Sequence, residues 1–301
     1  MSNSNKKDIY TEVTDAIIRA IEEGQANGKW ELPWHNFSTV PQNAVTKKHY
    51  RGINVPILWI RQQKSGFKSA LWATYNQWQD AGAQVRKGEK GAPVVFWKTI
   101  DVEPQGDDEE AGTRMFARHS SVFNAEQVDG FTLPQSGKPA EITLKEDCTR
   151  FIAATGANIE YGHPHACYIP SVDKIHMPAP AMFRDTKAAT ATEGFYAVLF
   201  HETTHWTGAA HRLDRIKHKK YGDNDYAFEE LIAELGAAML CASLGVTPAP
   251  RDDHAQYIKN WLKALNDDKR FIFSAASQAQ KAMDFLYSLQ PQQEQEQAEA
   301  A

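Results

Sequence analysis

Cysteine is scarce in this chain of 301 residues, which carries three: Cys148, Cys167 and Cys241. They form neither a disulfide framework nor the paired spacing of a zinc knuckle, and a reduced, cytoplasmic protein is expected. An excess of positive charge is also lacking. The formal net charge is −5, which excludes a uniformly basic nucleic-acid coat but leaves open how charge is distributed. Long hydrophobic runs are missing too. No segment approaches the ~20 apolar residues of a membrane span, and Met1-Ser-Asn-Ser-Asn-Lys-Lys has no apolar stretch behind it. Neither a membrane partner nor a secretory signal is expected. With 42% hydrophobic and 24% charged residues, the chain is still long enough for two domains with ordinary cores.

What the chain does have is a helix that carries chemistry. Thr190 and Glu193 stand at capping-box spacing, an apolar run from Phe195 to Phe200 follows, and Gly208 offers a stop. Between them lies His201-Glu202-Thr-Thr-His205. At about 100° per residue, His201 and His205 point within about 40° of each other, so two imidazoles can reach one Zn²⁺ at about 2.0–2.1 Å. Glu202 cannot easily join them as a ligand from the same turn, but it can take a proton from a water that the metal polarises. This is the pattern of a zinc hydrolase.

A third protein ligand is needed, and the sequence offers two sources. His211 completes a His-Glu-x-x-His-x-x-Gly-x-x-His spacing. Downstream, a helix opened by Asp225 and stopped near Gly245 carries Glu229, Glu230 and Glu234 beside an apolar stripe of Leu231, Ile232, Leu235, Ala238 and Met239. Glu230 and Glu234 share one edge of that stripe and Glu229 lies on the other. Glu230 as ligand with Glu234 orienting a histidine is the economical arrangement. Glu230 is preferred over His211, which runs into Arg212-Leu-Asp-Arg215 and Lys217-His-Lys-Lys220 and reads as surface loop; Glu229 remains a further alternative.

Charge is distributed unevenly. From Lys29 to Lys98 there are eleven Lys/Arg against three acids, a local excess of +8, and six of the eight tryptophans lie in the same window. Cations interleaved with rings suit single-stranded nucleic acid, because charge follows phosphates while rings stack on unpaired bases. Candidate contacts are Trp30, Trp34, Tyr50, Arg51, Asn54, Trp72, Tyr75, Gln77, Arg86, Lys87 and Lys90. Around them are predicted an amphipathic helix over 8–23, a helix from Pro56 to Arg61 and a helix that begins at Trp72. A basic turn at Val85 to Gly91 has backbone N–H groups that could hold a phosphate, and two strands, Pro93 to Val102 and Arg114 to Val122, follow it. In the C-terminal half, a helix over Leu144 to Ala154 precedes a hairpin over Ala166 to Pro178, with His163 and His165 read as loop histidines. Helices over Ala255 to Leu265 and Phe271 to Leu289 close the chain, before a polar Gln-rich tail expected to be disordered.

These residues carry a family resemblance. Trp30…Pro33-Trp34, Pro41-x-Asn43, Tyr50-x-Gly52-x-Asn54, Trp72-x-Thr74, Gln77 and Val85-Arg-Lys-Gly-Glu-Lys-Gly91 resemble the N-terminal domain of ArdC-type antirestriction proteins, a domain also found in plasmid TraC primases. His201-Glu-x-x-His205, Arg212-Leu and Glu229-Glu-Leu-x-Ala-Glu234 are similar to the zincin-like metallopeptidase domain those proteins carry. Thr203 stands where an apolar residue is usual. The resemblance covers nearly the whole chain. It implies an accessory protein of a conjugative plasmid or other mobile element that binds single-stranded DNA and shields entering DNA from host restriction.

The expectation is therefore an α+β protein in two domains. A single-strand-binding domain spans 1–130 and a linker 131–140, followed by a zincin-like domain over 141–290 and a tail at 291–301. The expected cofactor is Zn²⁺ or another divalent transition metal, the expected partner single-stranded DNA, and a host protein is the substrate if the site hydrolyses peptides. Two alternatives stay open: a DNA-binding protein whose metal domain is only scaffold, and a general cytoplasmic zinc protease.

Overall fold

The computed structural model describes residues 8–26, 32, 37, 39–102, 112–134, 141–186, 189–216, 224–247 and 255–291; at 98–102, 112–117, 141–144, 224 and 255–257 it describes the backbone alone. Helix α1 (Ile9–Ala26) comes first, followed by β1 (Gln42–Asn43), α2 (Asn54–Ser65), β2 (Leu71–Thr74), α3 (Tyr75–Asp80) and β3 (Gln84–Val85). The long hairpin β4 (Ala92–Val102) and β5 (Gly112–Asn124) leads to β6 (Val128–Asp129). The second half contains α4 (Glu141–Thr155), β7 (Asn158–Tyr161), β8 (Cys167–Ile169), β9 (Lys174–Met177), α5 (Ala191–Thr207), α6 (Asn224–Ser243), α7 (Ala255–Asp267) and α8 (Phe271–Ser288). The expected acidic loop between the hairpin strands, the last residues of the linker and the tail from 292 lie outside the described residues.

The sheets are small and mixed, as an α+β protein requires. One has the order β1-β2-β5-β4, with β4 on its outer edge, and β3 pairs with β6. The third runs β7-β9-β8, with β7 parallel and β8 antiparallel to the central strand. At 71–74 the structure corrects the sequence reading. The Thr74 hydroxyl accepts from Gln77 N–H and the Gln77 side chain accepts from Thr74 N–H, a capping box that starts the helix at Tyr75. The four residues before it are therefore free to form β2, where Trp72 stands opposite Asn124.

Two sequence units do not produce two separate interiors. One core joins Val13, Ile17 and Ile21 of α1, Trp59 of α2 and Val95 of β4 with Leu235 of α6, Trp261 of α7 and Ile272 of α8. Polar ties cross the same boundary: the Thr14 hydroxyl donates to the Lys269 carbonyl at 2.7 Å, and Gly52 N–H donates to Gln280 Oε1 at 3.0 Å. A second core is confined to the C-terminal half, around Phe151, Phe200, Leu240 and Leu286. Two smaller ones sit under the N-terminal sheet. Phe131, the first residue of the expected linker, packs its ring on Trp78 with 4.9 Å between centroids and so belongs to the N-terminal unit.

Candidate metal centre and candidate nucleic-acid contacts

Local chemistry sets where α5 begins. The Thr190 hydroxyl accepts from Glu193 N–H, and Glu193 accepts from both Thr190 N–H at 2.9 Å and Thr247 N–H at 3.1 Å, so one carboxylate caps α5 and ties it to the chain after α6. At the other end Gly208 is required for space. A Cβ there would lie 2.9 Å from Ile216 Cγ1, because residues 209–216 fold back over the helix end.

On this helix His201 Nε2 and His205 Nε2 lie 3.2 Å apart, and the Glu230 carboxylate of α6 comes within 3.5 Å of each. Ligands about 2.05 Å from a tetrahedral ion sit roughly 3.3 Å from one another, so the two imidazoles and the carboxylate, which meets each ring through a different oxygen, are close to the spacing of a bound transition metal. The outward nitrogens are also held. Glu234 Oε1 lies 3.0 Å from His201 Nδ1, and Glu229 Oε1 lies 3.3 Å from His205 Nδ1. A proton on each Nδ1 leaves both Nε2 lone pairs directed at the common point.

Electrostatics favour a cation at that point. Glu202, Glu230 and Glu234 are buried and Glu229 nearly so, and Arg215 pairs with Glu229 at 3.0 Å. Burial works to raise the Glu230 carboxyl, yet the two imidazoles and the Tyr226 hydroxyl draw it down to about 2. Burial also opposes charge on Glu229, which the His205 hydrogen bond and Arg215 hold below the usual carboxylate range. Such an excess of negative charge in a poorly solvated pocket is stabilised by a divalent ion.

The residues present thus fit a metal held by His201, His205 and Glu230, which would supply Lewis acidity for polarising a carbonyl and activating water. Glu202 projects from the same turn into the same cavity, of about 890 Å³, where a carboxylate can accept a proton and return it. Its Oε2 accepts from Tyr168 N–H at 2.9 Å, which fixes the carboxylate against the edge strand β8. That strand is held in turn by Arg212. The guanidinium lies over the Trp206 ring at 3.8 Å, donates to the Trp206 carbonyl at 2.6 Å, and meets both Asp173 and the Tyr168 hydroxyl. Arg212 stands in the zincin-like pattern, but its joining to Tyr168 and Asp173 escapes sequence reasoning, since no local pattern joins a hairpin turn to a helix end some forty residues later.

His211 is placed away from this cluster. It is exposed, with Nε2 3.4 Å from Asp173 Oδ2. Another group, Glu160, His163 and His176, also brings ligand atoms together. There, however, Lys174 pairs with Glu160 at 3.2 Å, and the two imidazoles stack 3.6 Å apart at 10°. A cation shared by both rings would sit up to about 1.8 Å out of each ring plane, so this group is poorly disposed to chelate.

The expected nucleic-acid contacts divide by burial. Trp72 is wholly buried and Tyr50 nearly so, its hydroxyl pushed up to about 12 by burial; neither offers a face to a base. Asn54 is buried with its amide clamped on Val95, accepting from the N–H at 2.7 Å and donating to the carbonyl at 2.8 Å. Gln77 caps α3 and accepts from Asn43 at 3.0 Å. These four are structural in this fold, a correction to their reading as contacts. Arg86 is engaged by Glu89 at 3.0 Å and Asp129 at 3.6 Å. Arg51, Lys87 and Lys90 are exposed, and Tyr75 is 40% exposed; Trp30 and Trp34 lie outside the described residues. Among the described residues of the N-terminal half, the more exposed rings are Phe96 and Trp97 on β4, 48% and 45% exposed.

Fold and site together define a protein with a zincin-like metallopeptidase half. The family profile described as zincin-like metallopeptidase matches residues 146–278, and that of the N-terminal domain of anti-restriction factor ArdC matches residues 7–123. The chain is 44% identical to an uncharacterised protein, y4eC, of Sinorhizobium fredii, over 94% of this chain and 92% of that one. The metal-free crystal structure of the antirestriction ArdC protein from the R388 plasmid is 43% identical, with a TM-score of 0.77 over 94% of this chain and 97% of that one. Its Mn(II)-bound form gives 42% and 0.75 over 94% and 98%. The chain belongs to the ArdC family of antirestriction proteins. It is also 35% identical to DNA primase TraC of Escherichia coli, of which it spans only 28%.

Proposed function

We propose that this protein protects DNA entering the cell from host restriction by covering it as a single strand, and that its C-terminal half carries a zinc centre of peptidase type. The observation that carries the reading is the pair of half-exposed rings Phe96 and Trp97 on an outer strand, in a chain of antirestriction kinship. Bases without a partner strand stack on such rings. Among the described residues no helix is long and apolar enough to cross a membrane, and the protein acts in the cytoplasm, where a transferred strand arrives. Two imidazoles and a carboxylate at this spacing favour zinc, and the R388 protein is known in a Mn(II)-bound form.

Conjugation into a restricting recipient tests the reading. Transfer should improve when the protein is made, and Glu202→Gln should retain most of the benefit, because covering DNA needs no general base. A second reading, hydrolysis of a host protein, draws on β8, which is an outer strand and lines the cavity of Glu202, where an extended peptide could add by strand pairing. Loss of protection in Glu202→Gln, with DNA affinity and metal content unchanged, would assign the function to hydrolysis, since removing a general base costs about 10²-fold or more in rate.

A further inference from the structure

We propose that the single strand lies in a groove built by both halves of the chain, between β4 and α8, which leads to the mouth of the metal cleft. The inference rests on the single-strand reading above and locates that ligand on the molecule. The groove encloses about 710 Å³. Phe96 and Trp97 form one wall, Ser277, Gln278 and Lys281 of α8 the other. Among the described residues its lining contains three cations, Arg51, Arg270 and Lys281, and no carboxylate. In a chain with a net charge of −5 this is a local inversion of sign, and the occupant it suits is an anion that also offers flat apolar faces.

The rings and cations are interleaved. Trp97 lies 6.1 Å from Tyr10, Tyr10 packs 4.7 Å from Phe273, and the Arg270 guanidinium sits 4.9 Å over the Tyr10 ring. Successive strand residues point to opposite faces, yet both rings line the groove because β4 is an outer strand and the groove runs along its free edge. Bases can reach them only when splayed from a partner, while Arg270 and Lys281 meet the phosphates. Arg51 already pairs with Asp284 at 2.6 Å; Lys281 is exposed on the helix face that turns to the groove. Gln278 and Lys281 also line the cavity of His201, Glu202, His205 and Glu230. The two spaces therefore share a wall, and a strand held by Lys281 passes at the edge of the metal cleft.

The test uses the full-length protein and a fluorescently labelled oligothymidylate of about 15 nucleotides, within the span of single-strand site sizes. Trp97→Ala should weaken binding about 5- to 100-fold with an unchanged salt slope, as the loss of one stacking ring does. Lys281→Glu should weaken it and reduce the log–log salt slope by about 0.7, one phosphate contact on a single strand. Lys263→Glu, on the exposed side of α7 and lining neither space, should bind as wild type does. Melting temperature and metal content serve as controls that each variant is folded. Wild-type protein that binds no single strand, or binds duplex equally well, would overturn the underlying reading. Wild-type binding left unaffected by Trp97→Ala and Lys281→Glu, or lost instead in Lys263→Glu, would overturn the groove alone.

Discussion

Replacing Gly236 with alanine sets two effects against each other in the helix that supplies the third metal ligand. In a helix interior, alanine is favoured over glycine by about 1 kcal/mol. Against that, a Cβ on Gly236 would lie 2.6 Å from Cγ2, 2.9 Å from Oγ1 and 3.4 Å from Cβ of Thr204. Thr204 cannot easily move away. It is wholly buried on α5 between His201 and His205, and its hydroxyl donates to the Phe200 carbonyl at 2.8 Å. Overpacking of this kind costs about 1–3 kcal/mol, so the steric effect wins and Gly236→Ala should destabilise by up to about 2 kcal/mol, a drop of a few degrees in melting temperature. Pushing α6 from α5 also moves Glu230 away from the two histidines, so metal affinity should fall as well.

Thr204→Ala removes both close atoms, and in that background Gly236→Ala should become neutral or stabilising by up to about 1 kcal/mol. Thermal and denaturant unfolding of the four proteins, with a metal titration on each, measures the cycle. A Gly236→Ala protein as stable as wild type, or a cost unchanged by Thr204→Ala, would refute the reasoning.

Other outcomes follow from the same geometry. His201→Ala and His205→Ala should each lose stoichiometric metal, Glu202→Gln should keep it, and Glu230→Ala should weaken it far more than His211→Ala, as elemental analysis after dialysis will tell; the reverse order would move the third ligand to His211. Trp72→Ala should cost about 3–5 kcal/mol of stability as a buried aromatic truncation, with any loss of DNA binding recovered where the protein remains folded. The Arg212 hydrogen bond holds the Asp173 carboxyl below its ordinary 3.8. The linked stability is fully present above that value and is lost as pH falls through the lower folded pKa. Asp173→Asn should accordingly flatten the acid limb of a stability–pH curve while leaving the neutral region's slope unchanged.

How much was legible in the sequence differs by element. The α5 capping box, the helical phase of His201 and His205 and the apolar stripe of α6 depend on residues three or four apart, and local backbone geometry determines them. The same locality explains the hairpin over 166–178 and the two closing helices. Roles that depend on approach between distant segments were not legible. Helical phase already parts Glu229 from Glu230 and Glu234 and suggests Glu230 as ligand with Glu234 behind a histidine, but which nitrogen each carboxylate faces, His205 Nδ1, both Nε2 atoms or His201 Nδ1, is set by how α6 packs on α5. Composition marked the ring-rich basic window but could not separate Trp72 and Tyr50, which fill cores, from Phe96 and Trp97, which face outward. Nor could it bring Arg270 and Lys281 to β4 from more than 170 residues away. Periodicity is a property of neighbours in the chain, whereas burial and convergence are properties of neighbours in space, and only the packing of α1 and α2 against α6, α7 and α8 decides those.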